Sequence, residues 1–213
     1  NPLRHEADYC MDFVRALGIK TDNISSEIYL SEDEKQKGAK LRNLLSKDNQ
    51  KKIIIGIHTT SGNSAPNWST SYYKKLINEL LNDKQFIVCL TDNNIPETLD
   101  KIDEVKYINK NNDLRNTIIN LSCLDILVSA STGPLHLAAA LKVKTVSLFC
   151  NMSACSPKLW KPVGNKSIEI VPTKQYCKTF CPGNPKKCTF ANDGITTEQV
   201  LNAIKKLSDE SKY

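Results

Sequence analysis

One stretch of the chain combines small hydroxyl-bearing residues, a glycine, a proline and a histidine in an order that suits anion binding. Residues 129–141 read Ser-Ala-Ser-Thr-Gly-Pro-Leu-His-Leu-Ala-Ala-Ala-Leu. Proline favours the first turn of a helix because no N–H is needed there. Unpaired amides at a helix N-terminus attract phosphate, with help from the helix dipole. The alternative is an ordinary capped turn with a packed histidine. The residues predicted to form a phosphate or pyrophosphate site are Ser131, Thr132, Gly133, Pro134 and His136.

A second polar loop follows an earlier apolar run. Residues 58–68 are rich in hydroxyl and amide side chains, and they lead to Trp68. Two polar turns at one edge of a parallel sheet can grip a diphosphate from both sides. The alternative is an ordinary polar loop that Trp68 anchors by packing. The residues predicted to face the ligand here are Thr59, Thr60, Ser61 and Gly62.

Acidic side chains follow the next apolar run, in the segment Thr-Asp-Asn-Asn-Ile-Pro-Glu at 91–97. In α/β nucleotide-binding domains this position often holds the ribose hydroxyls. Glu97 or Asp92 could do so, whereas an acidic residue near a helix start also acts as a cap.

Three late cysteines, Cys177, Cys181 and Cys188, raise the question of a metal site. Cys155 could supply a fourth thiolate to a zinc ion. The spacing does not form a pair of Cys-x-x-Cys knuckles, so thiols without a metal, or a disulfide, are the alternatives.

The elements that must position these residues alternate between strands and helices. Apolar runs predict strands at 53–57, 86–90, 105–108, 124–128, 145–149 and 167–171. Periodic patterns predict helices at 5–17, 31–45, 71–81, 96–103, 114–121, 134–141 and 196–207. Continuous apolar strands separated by helices indicate a Rossmann-like parallel sheet covered on both faces, in the α/β class. Such sheets bind ligands at the carboxyl ends of their strands.

Length and composition set further bounds. The 213 residues suffice for one large α/β domain with an appendage. We expect a helical linker at 1–50 and the ligand-binding domain at 51–213, with a cysteine-rich loop before the final helix. The net charge of +6 is spread along the chain, and no basic, aromatic-studded face indicates nucleic-acid binding. No apolar run approaches the roughly 18 residues of a membrane span.

Several separated segments resemble the heptosyltransferase family, glycosyltransferases of the GT-B fold that add heptose to the inner core of lipopolysaccharide. The family's strongest signature is similar to residues 131–141, which contain Thr-Gly-Pro-x-His and then Ala-Ala-Ala-Leu. Its loop after the first strand is similar to His-Thr-Thr at 58–60 with the later Trp68, and its Pro-x-x-Trp-x-Pro-x-Gly run is similar to 157–164. The resemblance covers about residues 53–205.

This resemblance implies that the chain is the C-terminal, donor-binding half of a GT-B enzyme. The implied donor is ADP-L-glycero-D-manno-heptose, and the implied acceptor is the lipopolysaccharide core. A cytoplasmic location follows, with peripheral contact at the inner face of the inner membrane as an option. The implied donor-binding residues are Thr132, Gly133, His136, Thr59 and Thr60 for the diphosphate and sugar, and Glu97 for the ribose.

The chain departs from the family pattern in three ways. Ser131 stands where many members have aspartate, and Pro66 and Asn67 replace a basic residue. Lys158 and Lys161 are the candidates to substitute for that residue. In the family, the proposed general base lies on an N-terminal domain. We expect this chain to lack that domain, so no catalytic residue is assigned.

Competing functions remain at this point. One is a GT-B transferase for another nucleotide sugar, and another is a nucleotide-sugar-binding or assembly module without activity. A third is a zinc-dependent interaction module built on the late cysteines. No carboxylate cluster indicates a fixed metal, so the sequence favours transfer without a cofactor, or with a loosely held Mg²⁺.

Overall fold

Six parallel strands form the centre of this computed structural model, which describes residues 3–47, 52–63 and 65–209. The strands are β1 (Ile53–Ile57), β2 (Phe86–Leu90), β3 (Lys106–Tyr107), β4 (Ile126–Ala130), β5 (Lys144–Leu148) and β6 (Ser167–Ile170). They pair in the order β3-β2-β1-β4-β5-β6. The α/β class with a parallel, Rossmann-like sheet is thereby confirmed. The strand order reverses between β1 and β4, and open α/β sheets bind their ligands at such a switch point.

Helices cover both faces of the sheet. They are α1 (Glu6–Ala16), α2 (Glu32–Leu45), α3 (Thr70–Leu81), α4 (Leu114–Leu121), α5 (Gly133–Ala140), α6 (Pro157–Trp160), α7 (Lys174–Phe180) and α8 (Thr197–Asp209). One apolar layer packs α3 and α8 against the sheet, and it includes Tyr73 and Ile204. The other layer holds α4 and α5 against the opposite face through Leu121 and Ala138. Each fully buried Leu or Ile side chain stabilises the fold by about 1.5–3 kcal/mol.

The helix predicted at 96–103 is wrong. Only a single 3₁₀ turn forms there, at Glu97–Leu99, and Asp100 is already extended. The Tyr107 hydroxyl donates to the Leu99 carbonyl at 3.0 Å and accepts from the Ile102 N–H at 2.7 Å. These contacts occupy backbone groups that a longer helix would need, and the chain turns back toward β3.

The fourth strand lies two residues later than predicted. It starts at Ile126, directly after Asp125, whose carboxylate accepts from the Ile54 N–H of the neighbouring strand at 2.8 Å. Ser129, the first residue of the 129–141 segment, therefore lies inside β4 and is fully buried, so the polar turn begins after it. The following helix starts at Gly133, one residue early, and the short helices α6 and α7 were not predicted.

The first two helices differ in their contacts with the rest of the domain. The helix α1 has no buried residue, whereas Arg42 of α2 pairs with Asp125 at 2.9 Å and donates to the Cys123 carbonyl at 2.8 Å. The predicted division between residues 50 and 51 lies outside the described residues. No helix in the described part of the chain is long and apolar enough to cross a membrane.

Candidate functional site

The two polar turns leave the sheet side by side. The strands β1 and β4 are neighbours, Ile57 is in register with Val128, and the His58 N–H donates to the Val128 carbonyl at 2.9 Å. The chain after each strand therefore emerges at the switch point of the sheet. Ala65 from the first loop and Ser131 from the second line the same cavity.

The turn between β4 and α5, residues 131–136, is called the open turn below. Thr132 is the N-cap of α5, but its side chain makes no capping hydrogen bond and its hydroxyl lies 3.2 Å from that of Ser129. Within the described residues, no acceptor receives a hydrogen bond from the Thr132 or Gly133 N–H. A Cβ added to Gly133 would meet no atom within 4 Å. Pro134 stands in the first turn, where it removes no needed donor. The positive end of α5 thus faces open space.

A cavity of about 270 Å³ lies in front of the open turn. It is smaller than the roughly 300–1,000 Å³ that encloses a drug-sized ligand, so it suits a part of a nucleotide sugar. The Trp160 ring forms one wall, and its Nε1 donates to the Ala154 carbonyl at 2.9 Å. Its centroid lies 6.4 Å from that of the His136 ring. The lining residues are Ala65, Ser131, Thr132, Gly133, His136, Ala154, Cys155 and Trp160.

His136 brings an uncharged imidazole to this cavity. Burial, with a smaller contribution from the charge of His5, lowers the pKa of His136 below its ordinary value. A neutral imidazole offers one donor and one acceptor, which suits a phosphate oxygen or a sugar hydroxyl. His5 itself joins α1 to the cavity wall, because its Nε2 lies 2.8 Å from the Lys161 carbonyl.

The turn after β1 is called the closed turn below and consists of Thr59 and Thr60. Both backbone N–H groups and both hydroxyls donate to Asp92, at 2.8–3.0 Å. The Asp92 side chain comes from the end of β2 and is only 1% exposed, so no ribose could reach it. The donors of these threonines are therefore committed within the protein, and their predicted contact with the phosphates stays a prediction.

His58 and the rest of the loop support the closed turn. The His58 Nδ1 lies 3.1 Å from the Thr91 hydroxyl, and Nε2 lies 3.6 Å from the Asp92 carboxylate. Burial lowers the pKa of His58 despite the opposing effect of Asp92. Trp68 is 3% exposed and donates to the Ile195 carbonyl at 3.0 Å, which confirms its packing role.

The remaining predicted donor-binding residues lie outside the cavity lining. Ser61 is half-buried, and Gly62 is exposed with a left-handed φ of 54°. Glu97 is exposed at the first residue of the 3₁₀ turn beyond β2. Conversely, sequence reasoning missed Trp160 as a lining residue, although the Pro-x-x-Trp run at 157–160 carried the signal.

The late cysteines form a separate cavity of about 190 Å³, to which Cys150, Cys177, Cys181 and Cys188 contribute. All are free thiols, and burial raises the pKa of Cys150 to about 11. In the described residues, no three or more Cys, His, Asp or Glu side chains are placed to hold a metal ion together. Cys155, considered as a fourth zinc ligand, lines the other cavity, in front of the open turn.

Comparisons with known proteins agree with one another. The chain matches the family model described as glycosyltransferase family 9 (heptosyltransferase) over residues 5–189. A putative glycosyltransferase of Haemophilus influenzae is 30% identical over 217 residues, which cover 94% of this chain and 59% of that protein. A lipooligosaccharide heptosyltransferase 2 of Campylobacter jejuni is 24% identical over 79% of this chain and 55% of its own length.

Solved structures share the fold at low sequence identity. A family 9 glycosyltransferase from Veillonella parvula has a TM-score of 0.74 and 17% identity, over 97% of this chain and 61% of its own. The Escherichia coli heptosyltransferase WaaC with ADP has a TM-score of 0.60 and 14% identity, over 97% of this chain and 58% of its own. The chain therefore spans little more than half the length of these relatives.

Proposed function

Because the chain belongs to glycosyltransferase family 9, the heptosyltransferase family, we propose that it is the donor-binding part of an enzyme that transfers heptose from ADP-L-glycero-D-manno-heptose to the lipopolysaccharide inner core. The observation that carries this proposal is the open turn, whose amide N–H groups face a cavity walled by Trp160. Structures of the E. coli heptosyltransferase WaaC with ADP and with ADP-2-deoxy-2-fluoro heptose support this choice of donor.

The open turn would bind the diphosphate. The N–H groups of Thr132 and Gly133 and the Thr132 hydroxyl are preorganised donors at the positive end of an eight-residue helix. An acceptor hydroxyl attacks the anomeric carbon, the bond from that carbon to the diphosphate oxygen breaks, and ADP leaves with the electron pair. Donors fixed where negative charge grows stabilise this transition state more than the ground state.

Neighbouring residues would bind the sugar, the ribose and the remaining phosphate oxygens of the donor. The neutral His136 imidazole would donate to a phosphate oxygen or a sugar hydroxyl, and the Trp160 ring would pack against the sugar. Ser131 would add a hydroxyl to the phosphate site, and Glu97 would hold the ribose. The general base that takes the acceptor's proton would lie in the part of the relatives that this chain does not align with.

A nucleotide panel tests the proposal. Calorimetric titration of the chain with ADP, UDP and GDP should show a preference for ADP. A preference for UDP or GDP would favour a transferase of the same fold with a different nucleotide sugar. A chain that is folded by circular dichroism and does not bind ADP at millimolar concentration would instead be a module without donor binding.

The proposal also covers metal and location. We expect transfer to need no metal ion, because the amides and dipole of α5 meet the diphosphate charge; a loosely held Mg²⁺ is the alternative. Assay of the full-length enzyme with and without chelator separates them. With lipopolysaccharide core as the acceptor, the enzyme would work at the cytoplasmic side of the inner membrane. Flotation with anionic vesicles tests whether the protein contacts the membrane peripherally.

A further inference from the structure

We propose that Asp92 is a positioning residue of the donor site, through which Thr59 and Thr60 act on the donor indirectly. Asp92 would hold the closed turn in one conformation, so that the loop beyond it forms a fixed wall of the donor cavity. The effect on donor binding rests on the proposed function, whereas the hold on the turn does not.

The geometry around Asp92 is that of a filled acceptor. Oδ1 accepts from the Thr59 N–H at 3.0 Å, from the Thr60 N–H at 2.9 Å and from the Thr60 hydroxyl at 2.8 Å. Oδ2 accepts from the Thr59 N–H at 2.9 Å and from the Thr59 hydroxyl at 3.0 Å. Every N–H and O–H that the two threonines possess is thereby directed at one carboxylate.

This arrangement is strong because the donors of the two threonines satisfy a buried carboxylate. Asp92 is 1% exposed, and in the described part of the chain His58, at 3.6 Å, is its partner within ion-pair distance. A buried carboxylate is costly unless hydrogen bonds satisfy it, and hydrogen bonds to a charged acceptor are stronger than neutral ones. The turn and the carboxylate therefore stabilise each other.

The same charge disfavours phosphate at the closed turn. A diphosphate there would have to take donors from Asp92, and the two negative charges would repel each other at short range. The open turn has no such internal acceptor. The chain thus separates two tasks: the open turn is free to bind an anion, and the closed turn is held in place.

Two further hydrogen bonds tie the far end of the loop, at Asn67, to the closed turn and to the core. The Thr59 carbonyl accepts from the Asn67 side chain at 2.6 Å, and the Asn67 side chain accepts from the Tyr73 hydroxyl at 2.6 Å. Ala65, which lies between Thr60 and Asn67, lines the donor cavity. Loosening Asp92 should therefore shift that wall.

A double-mutant cycle on ADP binding tests whether Thr60 acts through Asp92. Asp92→Asn places an NH₂ against the threonine donors, and Thr60→Val removes one hydroxyl at nearly constant volume. We expect each single variant to raise the Kd for ADP by about fivefold. If both residues act through the same contact, the Kd of the double variant should be no higher than that of the single variant with the higher Kd. Thr60→Ser, which keeps the hydroxyl, should restore most of the affinity. Effects that multiply in the double variant would show that Thr60 contacts the donor itself and would overturn the proposal.

Hydrogen exchange on the ligand-free protein supplies a measurement that needs no donor. The Thr59 and Thr60 amides should exchange slowly in the wild type and at least tenfold faster in Asp92→Asn. If Asp92→Asn does not fold, the exchange rate of the residue-60 amide is compared between Thr60→Val and Thr60→Ser instead. We expect faster exchange in Thr60→Val, which lacks the hydroxyl that donates to Asp92. Unchanged exchange would overturn the hold on the turn. A third outcome separates the two proposals. If Asp92→Asn exchanges faster but the wild type does not bind ADP, the proposed function is refuted, whereas the role of Asp92 in fixing the closed turn stands.

Discussion

The closed turn after β1 and the open turn after β4 contain the same kinds of residue, yet their hydrogen bonds differ. The donors of Thr59 and Thr60 all point to Asp92, whereas the N–H groups of Thr132 and Gly133 have no acceptor among the described residues. Small hydroxylated residues at a strand end therefore do not by themselves define an anion site. What decides is whether the neighbouring strand brings an acceptor.

The sheet order explains why the turns differ. The closed turn lies beside the end of β2, where Asp92 follows two residues after the strand. The open turn lies beside the end of β5, where the next two residues are the buried, apolar Phe149 and Cys150. The neighbouring strand is thus followed by a carboxylate in one case and by apolar residues in the other, and among the described residues only the open turn keeps backbone donors without an acceptor.

The largest expected effect comes from blocking the open turn. Gly133→Ala should leave the fold intact, because the added Cβ meets no atom within 4 Å, but the methyl would lie where the diphosphate approaches the amides. We expect the Kd for ADP to rise about tenfold or more, equivalent to at least ~1.4 kcal/mol. Calorimetry measures the Kd. The control is Lys205→Ala on the exposed side of α8, which should bind ADP as the wild type does. Unchanged affinity would mean that the open turn is not the phosphate site.

Removal of the cavity wall opposite the open turn should have the next largest effect. Trp160→Ala deletes the ring that faces His136 and should weaken binding of the complete nucleotide sugar about fivefold, or ~1 kcal/mol. Binding of ADP alone should change less, because the ring is proposed to contact the sugar. Trp160→Phe keeps an apolar ring and should lie close to wild type. Equal losses for ADP and the nucleotide sugar would place Trp160 on the nucleotide.

A third test concerns the histidine of the open turn. Since burial lowers the pKa of His136, the imidazole is neutral at pH 7 and gains a proton only on acidification. A bound diphosphate favours the protonated form, so ADP binding by the wild type should gain relative to His136→Gln as the pH falls from 7 to 5.5, by about two- to threefold. Parallel pH profiles for the two proteins would contradict a contact between His136 and the diphosphate.

The smallest effect is expected from the histidine beside the closed turn, and it concerns stability. The pKa of His58 is lowered from 6.5 in the folded protein, so the unfolded chain takes up the proton more readily. This stability contribution is complete above pH 6.5 and is lost as the pH falls through the lowered pKa, with a slope of at most about 1.4 kcal/mol per pH unit. In urea unfolding at pH 7 and 5.5, His58→Gln should lose less stability than the wild type. Identical losses would assign the acid sensitivity to other groups.

The sequence predicted the framework well because its signals are local. The apolar runs at 53–57 and 86–90 gave β1 and β2 with their observed bounds, and the Gly-Pro pair marked the start of α5 within one residue. The helix predicted at 96–103 was wrong because a contact from outside the segment competes with it: the Tyr107 hydroxyl bonds the Leu99 carbonyl and the Ile102 N–H.

The site was only partly predictable because its decisive contacts are distant in sequence. Asp92 lies 32 residues after Thr60, and no local pattern shows that the two meet. Their pairing follows from the adjacency of β1 and β2, which is a property of the sheet order. Likewise, the Pro-x-x-Trp run at 157–160 marked Trp160 as part of a family pattern, but only the fold shows that Trp160 shares a cavity with the open turn.

The chain has two tryptophans, and they lie in opposite surroundings. Trp68 is buried in the core, whereas Trp160 is half-buried and lines the cavity in front of the open turn. The first should emit at short wavelength whatever the ligand, and the second should change its emission when the cavity fills. The fluorescence of Trp68 thus serves as a constant reference, and that of Trp160 reports whether the cavity is occupied. Ligand binding can therefore be followed in real time without a label.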